Sequence, residues 1–317
     1  MRFARSLVLI PAAAACLIAT TSWASSGSGH DSHDAAQPSL GVTEQSTDAD
    51  VARIASSRMP ALPIETYLPK AGEDARIAKA SAEFVQDCMA RFGFQYQPPA
   101  ISQKALDSQE NGANRGRRYG ISDLAGAGRD GYHLPASVAP RAAVAAGRKP
   151  MSEAENRVFI GDQDPALGVR AGAAFAGQKI PSGGCAGEAQ RKLKVEARQQ
   201  IAEKINNTSF VRSQENPLVK AAFTRWSACM ARSGYTYKTP LDPLDTIQGS
   251  SPSRAEITVA QTDVRCKDSS NLVGTWFTVE SRMQRQLIAQ NSKALAADSK
   301  SFGELVRRAS LQLSTVH

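Results

Sequence analysis

The chain has 317 residues, with 38 Lys and Arg against 30 Asp and Glu and a net charge of +8. A basic surface favours anionic polymers, lipid head groups or acidic proteins, although net charge governs solubility before it selects a partner. Four histidines, and no Gly-x-Ser-x-Gly, His-Glu-x-x-His or phosphate-loop pattern, leave the familiar hydrolase and nucleotide-binding classes without a signature.

Arg2 and Arg5 form a positive start, and an apolar stretch runs from Leu7 to Ile18. Ser22-Trp23-Ala24 then offers the small-x-small pattern of signal-peptidase cleavage. This predicts a signal peptide over residues 1–24 and an exported chain, and losing Arg2 and Arg5 takes the net charge from +8 to +6. The apolar run is broken by Pro11 and is too short for a permanent span. Cys16, after Ala13-Ala14-Ala15, is the competing cleavage point, and a lipid there is the one membrane attachment expected. In an exported protein, nucleic acid is not an expected partner.

Residues 25–60 read as a disordered linker, with too few apolar side chains to bury anything. His30, Asp31, His33 and Asp34 lie in it, and a solvated run explains them better than a metal site. The remainder, residues 61–317, reads as a mainly α domain. From Ala71, the residues Ile77, Ala80, Phe84 and Cys88 recur at helical spacing. Gly93 then supplies a left-handed stop, with Met89 and Phe94 placed to touch in a Schellman ending.

The same device recurs. Asn216-Pro217 opens a helix carrying Val219, Ala222, Trp226 and Cys229, and Gly234 stops it with Met230 and Tyr235 as the touching pair. CMARFGFQY at 88–96 and CMARSGYTY at 229–237 agree at six of nine positions, so the chain is read as two pseudo-repeats, 61–210 and 211–317. Each copy has a companion helix: Cys185 to Ile201 through Ala189, Leu193 and Ala197, and a run from Ser253, capped with Glu256, through Ile257, Ala260 and Val264 to Cys266. A stripe follows through Leu272, Trp276, Val279, Met283 and Leu287; a break at residues 268–271 is left open. Ser301 with Glu304 is read as the cap of a last short helix bearing Leu305, Ala309 and Leu313. Between the copies, about residues 98–180 form an irregular insert rich in Gly and Pro.

Cys88, Cys185, Cys229 and Cys266 are an even set, which in an exported chain reads as two disulfides. Without a Cys-x-x-Cys pair or a histidine near them, zinc is not expected, and neither is any other metal or cofactor. Of three pairings the repeat favours Cys88–Cys185 with Cys229–Cys266, each tying a helix to its antiparallel companion.

Glu256 and Asp263, seven residues apart, share a helix stripe that continues to Cys266. A buried Asp263 needs a cation, for which Arg91 or Arg232 is the candidate from the repeats, so a structural ion pair is the expected role. The alternative is a hydrolase acting on cell-wall polymer through Asp263 and Glu256. His133 reads as a loop histidine, Trp226 and Trp276 as core, and Arg115-Gly116-Arg117-Arg118 as a solvated loop.

CMARFGFQY, Gly183-Gly184-Cys185, Trp226 to Met230 and Glu256…Ala260…Asp263…Cys266 together resemble a family of uncharacterised exported actinobacterial proteins. Leu62 to Tyr67 and Tyr119-Gly120-Ile121 fit the same pattern, which covers about residues 61–297. The resemblance implies no activity. It implies an accessory role near exporter or peptidoglycan-binding components. The expectation is therefore a non-catalytic envelope protein whose partner is an envelope protein or an anionic wall polymer.

Overall fold

In the computed structural model, residues 59–135, 150–161, 163–164, 168–169, 174–195 and 200–315 are described. The expected signal peptide, Cys16 and the expected linker up to residue 58 lie outside them. Helix α1 (Ala71–Arg91) starts where Glu73 turns its carboxylate back to accept the Lys70 backbone N–H at 2.9 Å. It ends at Gly93 (φ 79°), where the Phe94 N–H bonds Met89 O and the Gly93 N–H bonds Ala90 O. Helix α2 (Gln103–Leu106), α3 (Leu124–Asp130) and α4 (Glu153–Ile160) follow, then two small antiparallel hairpins, β1 (Gln163–Asp164) with β2 (Gly168–Val169) and β3 (Ala174–Phe175) with β4 (Gln178–Lys179). Helices α5 (Gly184–Leu193), α6 (Ile201–Ser213), α7 (Pro217–Arg232), α8 (Arg254–Ser269), α9 (Leu272–Gln290) and α10 (Ser292–Thr315) complete a mainly helical fold.

Helix α7 repeats the ending of α1. Asn216 accepts the Leu218 N–H, Gly234 takes φ 85°, and the Tyr235 N–H bonds Met230 O at 3.1 Å. Both glycines sit where a left-handed turn frees the last carbonyls of a helix for bonding.

The two disulfides pair as expected, Cys88 with Cys185 and Cys229 with Cys266. Their settings differ. Cys185 opens α5, and Leu193 at its far end shares a cluster with Ala80, eight residues before Cys88, so α5 runs back along α1. In the second pair, Trp226 contacts Asp263 one turn before Cys229 meets Cys266, so α7 and α8 run the same way at their contact. The antiparallel expectation therefore describes the first copy alone.

Around the first disulfide, α1, α4 and α5 bury Val85, Met89, Val158, Ile180 and Ala189. Around Trp226 and Trp276, α7, α8 and α9 bury Val219, Met230, Leu272 and Val273, and each fully buried large apolar side chain contributes about 1.5–3 kcal/mol. Helix α10 packs on α1 and reaches α6, whose N-terminus is capped from a distance: Asp298 accepts the N–H groups of Gln200 and Ile201.

Several boundaries differ from the sequence reading. The companion helix from Cys185 stops at Leu193, because Lys194 turns left-handed (φ 57°). The break left open at residues 268–271 does occur: the run from 254 divides into α8 and α9 at Asn271, another left-handed residue (φ 47°). Ser301 is interior to α10 and caps nothing, since the helix already begins at Ser292. At Ser253 only half of the capping box forms: the serine accepts the Glu256 N–H, while the Glu256 carboxylate turns elsewhere. The irregular insert holds α2, α3 and α4 and sends Ala113, Tyr119, Ile121 and Tyr132 into the core. Among the described residues, no helix is long and apolar enough to cross a membrane.

Candidate functional site

Helix periodicity puts Asp263 on the inner face of α8, one turn before Cys266, where it is fully buried. Its Oδ1 accepts the Trp226 indole N–H at 2.8 Å; its Oδ2 accepts from Lys267 Nζ at 2.8 Å and from the Tyr132 hydroxyl at 3.3 Å. Lys267 is fully buried too and donates a second bond to Ile121 O at 3.0 Å. Burial pushes the Asp263 carboxyl above its ordinary range, against the pull of Lys267, Trp226 and Tyr132. Burial first, then the Asp263 charge, raises the Tyr132 hydroxyl well above the usual phenol range, so it remains a donor.

The cation is thus Lys267, four residues along the same helix, and neither Arg91 nor Arg232. Arg91 pairs with Glu188 of α5 at 2.5 Å, and Arg232 lies exposed. An ion pair inside one helical turn needs no contribution from the other copy, which is why the repeat was a poor guide to it.

Glu256 faces the same loop two turns earlier. Its Oε1 accepts the Tyr132 backbone N–H at 2.9 Å, and its Oε2 lies 3.3 Å from His133 Nε2, not aligned for a hydrogen bond. Glu256 therefore anchors the 131–133 loop to α8, and the same loop carries the hydroxyl that bonds Asp263. Arg117 closes it from the other side by donating to the carbonyls of Tyr132 and His133.

A second buried carboxylate is absent from the sequence reading. Glu280 of α9 is fully buried and faces Arg118, whose Nε lies 3.1 Å from Oε1 and 3.0 Å from Oε2, with Nη2 also donating to Oε1. The Tyr119 hydroxyl donates to Oε2 at 2.8 Å, and Ser209 and Gln284 donate to Oε1. Arg118 spends its other donors on Ala113 O and Asn206 O and rests on the Phe210 ring. Burial, then the Glu280 charge, lifts the Tyr119 hydroxyl well above the phenol range. The supposed solvated cluster at 115–118 is thus corrected: Arg118 is core, and Arg115 reaches Met59 O and Glu65. Only the apolar stripe around Glu280 hinted at its burial, through position 280 lying four residues after Trp276 and three before Met283 on α9.

One short segment serves both carboxylates. Arg118 and Tyr119 bond Glu280, and two residues on, Ile121 O receives Lys267. Gly120 between them has φ 79°, and a side chain there would meet Lys267 Nζ at 2.6 Å and Pro240 O at 3.0 Å. Glycine is required for both reasons.

Chemically, this arrangement holds charge in place. Asp263 and Glu280 have no solvent-facing oxygen, and their partners are fixed donors. Among the described residues, no three His, Cys, Asp or Glu side chains gather as a metal site. An open groove lies nearby, lined by Glu65, Lys104, Asp107, Glu110 and Arg115, with charges of both signs on its walls. Compared with known protein families, with curated proteins and with solved structures, the chain finds no match.

Proposed function

We propose that this is a non-catalytic, exported protein of the cell envelope that binds a partner or supports an envelope assembly. The observation that carries the reading is the burial of Asp263: the carboxylate best placed for hydrolysis is sealed at 0% exposure between Lys267, Trp226 and Tyr132. A general acid or base must reach its proton in a substrate complex, directly or through one water. Two disulfides fit an oxidising compartment. The leader-like first 24 residues and the resemblance to exported actinobacterial proteins point the same way. Partners of this reading are an envelope protein or an anionic wall polymer.

The test pairs stability with chemistry. Wild type and Asp263→Asn are melted, then incubated with peptidoglycan, teichoic acid and peptide substrates. The reading expects a lowered melting temperature and no wall-degrading activity in either protein. A wild-type activity that disappears in a variant melting like wild type would install the hydrolase instead.

A further inference from the structure

Helix α7 and the irregular segment after it have an unusual charge pattern. From Asn216 to Leu241 there is no acidic residue, while Lys220, Arg225, Arg232 and Lys238 supply four cations. Lys220 is engaged by Glu215 at 2.5 Å. Arg225, Arg232 and Lys238 are exposed, and the two arginines enter no ion pair with a described residue. Seven residues separate those arginines, so they stand on one stripe of α7 about 10 Å apart along its axis. Cys229 lies between them on that stripe, and its bond to Cys266, with Cα atoms 5.6 Å apart, fixes the stripe against α8. The packed neighbour α9 adds nothing negative, because its single acid, Glu280, is consumed in the core by Arg118.

We infer that this face, built on Arg225 and Arg232, docks a linear phosphate-bearing wall polymer. The inference deepens the envelope-binding reading above and rests on it. Two guanidinium groups spaced along one stripe, with no ion pair to a described residue, match successive phosphates of such a chain, which Arg recognises through paired donors. A membrane surface fits less well, since interfacial docking draws on exposed apolar side chains, and none of the large exposed ones lies on α7, α8 or α9. The disulfide fixes α7 against α8, so little ordering of the α7 face is needed on binding.

The experiment measures binding of the mature protein to purified glycerol-phosphate teichoic acid, to wall stripped of phosphate polymer, and to anionic lipid vesicles. Arg225→Glu/Arg232→Glu is compared with Lys293→Glu/Lys300→Glu, which places the same charge change at the same spacing on exposed positions of α10. The first pair is expected to weaken teichoic-acid binding by about tenfold or more and to flatten its salt dependence, with the second pair close to wild type. Arg225→Gln/Arg232→Gln, with its melt checked, gives the same direction should charge reversal disturb folding. Equal losses in both pairs would make net charge the cause and overturn the assignment of the face. Binding to vesicles as strong as to polymer, and lost in the same variant, would replace the polymer with a lipid surface. Retention on wall that ignores Arg225 and Arg232 would remove this face while leaving the envelope reading intact; no binding to any wall material would remove both.

Discussion

Asp263 and Glu280 are buried carboxylates on consecutive helices, and they are neutralised in opposite ways. Asp263 takes its cation from its own helix, four residues on, where the helical rise alone brings Lys267 into place. Glu280 takes Arg118 from 162 residues away, on a segment with no regular structure of its own. The first pair is a local device, and it would form wherever α8 is helical. The second closes the fold, because Arg118 meets Glu280 only when α6, α9 and the 113–121 segment are all assembled.

That contrast ranks the expected losses. Glu280→Gln should be the most damaging, because Arg118 keeps its charge at any accessible pH and is left buried without a counterion, at a cost of about 3–5 kcal/mol. Asp263→Asn retains an acceptor for the Trp226 N–H, and a lysine, unlike an arginine, can shed its proton when buried. About 2–3 kcal/mol is expected in urea unfolding. A larger loss at Asp263 than at Glu280 would reverse the ranking of local and long-range pairs. Gly120→Ala probes the link between them. The left-handed backbone and the approach of Lys267 Nζ and Pro240 O should cost about 1–3 kcal/mol, read from the same unfolding curves. An unchanged midpoint there would mean that the two sites are not joined through this backbone.

The smallest effect is in the pH dependence, and it has opposite signs at two carboxylates. Burial raises Asp263 above its ordinary 3.8, so its contribution is fully present below that value and is lost as pH rises through its folded-state value. At Glu188, burial pushes upward, but hydrogen bonds from Arg91 and Lys192 outweigh it and hold the group below its ordinary 4.5. Its contribution is present above 4.5 and is lost as pH falls through the lowered value. Relative to wild type, Asp263→Asn should therefore steepen the gain of stability with rising pH above about 4, and Glu188→Gln should flatten the loss below it. Parallel stability–pH curves for both variants and wild type would remove the distinction.

Legibility in the sequence followed the same divide between local and distant. Gly93 and Gly234 were readable as helix stops because the glycine and its touching pair lie within six residues, directly after an apolar stripe at helical spacing. The cysteine pairing was readable from the repeated motif. Lys267 was within reach too, since Asp263 and Lys267 stand at the spacing of a helical ion pair, and the equivalence of Arg91 and Arg232 drew attention away from it. Ser301-x-x-Glu304 imitates a capping box in the middle of a helix, where nothing local forbids continuation. Asn271 ends a helix through a left-handed conformation that its identity permits without announcing. Arg118 could not be placed at all: an arginine among glycines carries no local mark of the carboxylate it will meet across the fold.

The Cys88–Cys185 bond closes a ring of chain with a sequence separation of 97 residues. That ring contains α2, α3, α4, both hairpins and every residue between them. A peptidase that cut once inside this stretch would therefore release nothing: the two fragments would stay one molecule under non-reducing conditions and separate only after a thiol was added. The same cut between Cys185 and Cys229 would meet no such tether, so a single nick in that connection, unlike one in the long irregular stretch, would divide the covalent chain.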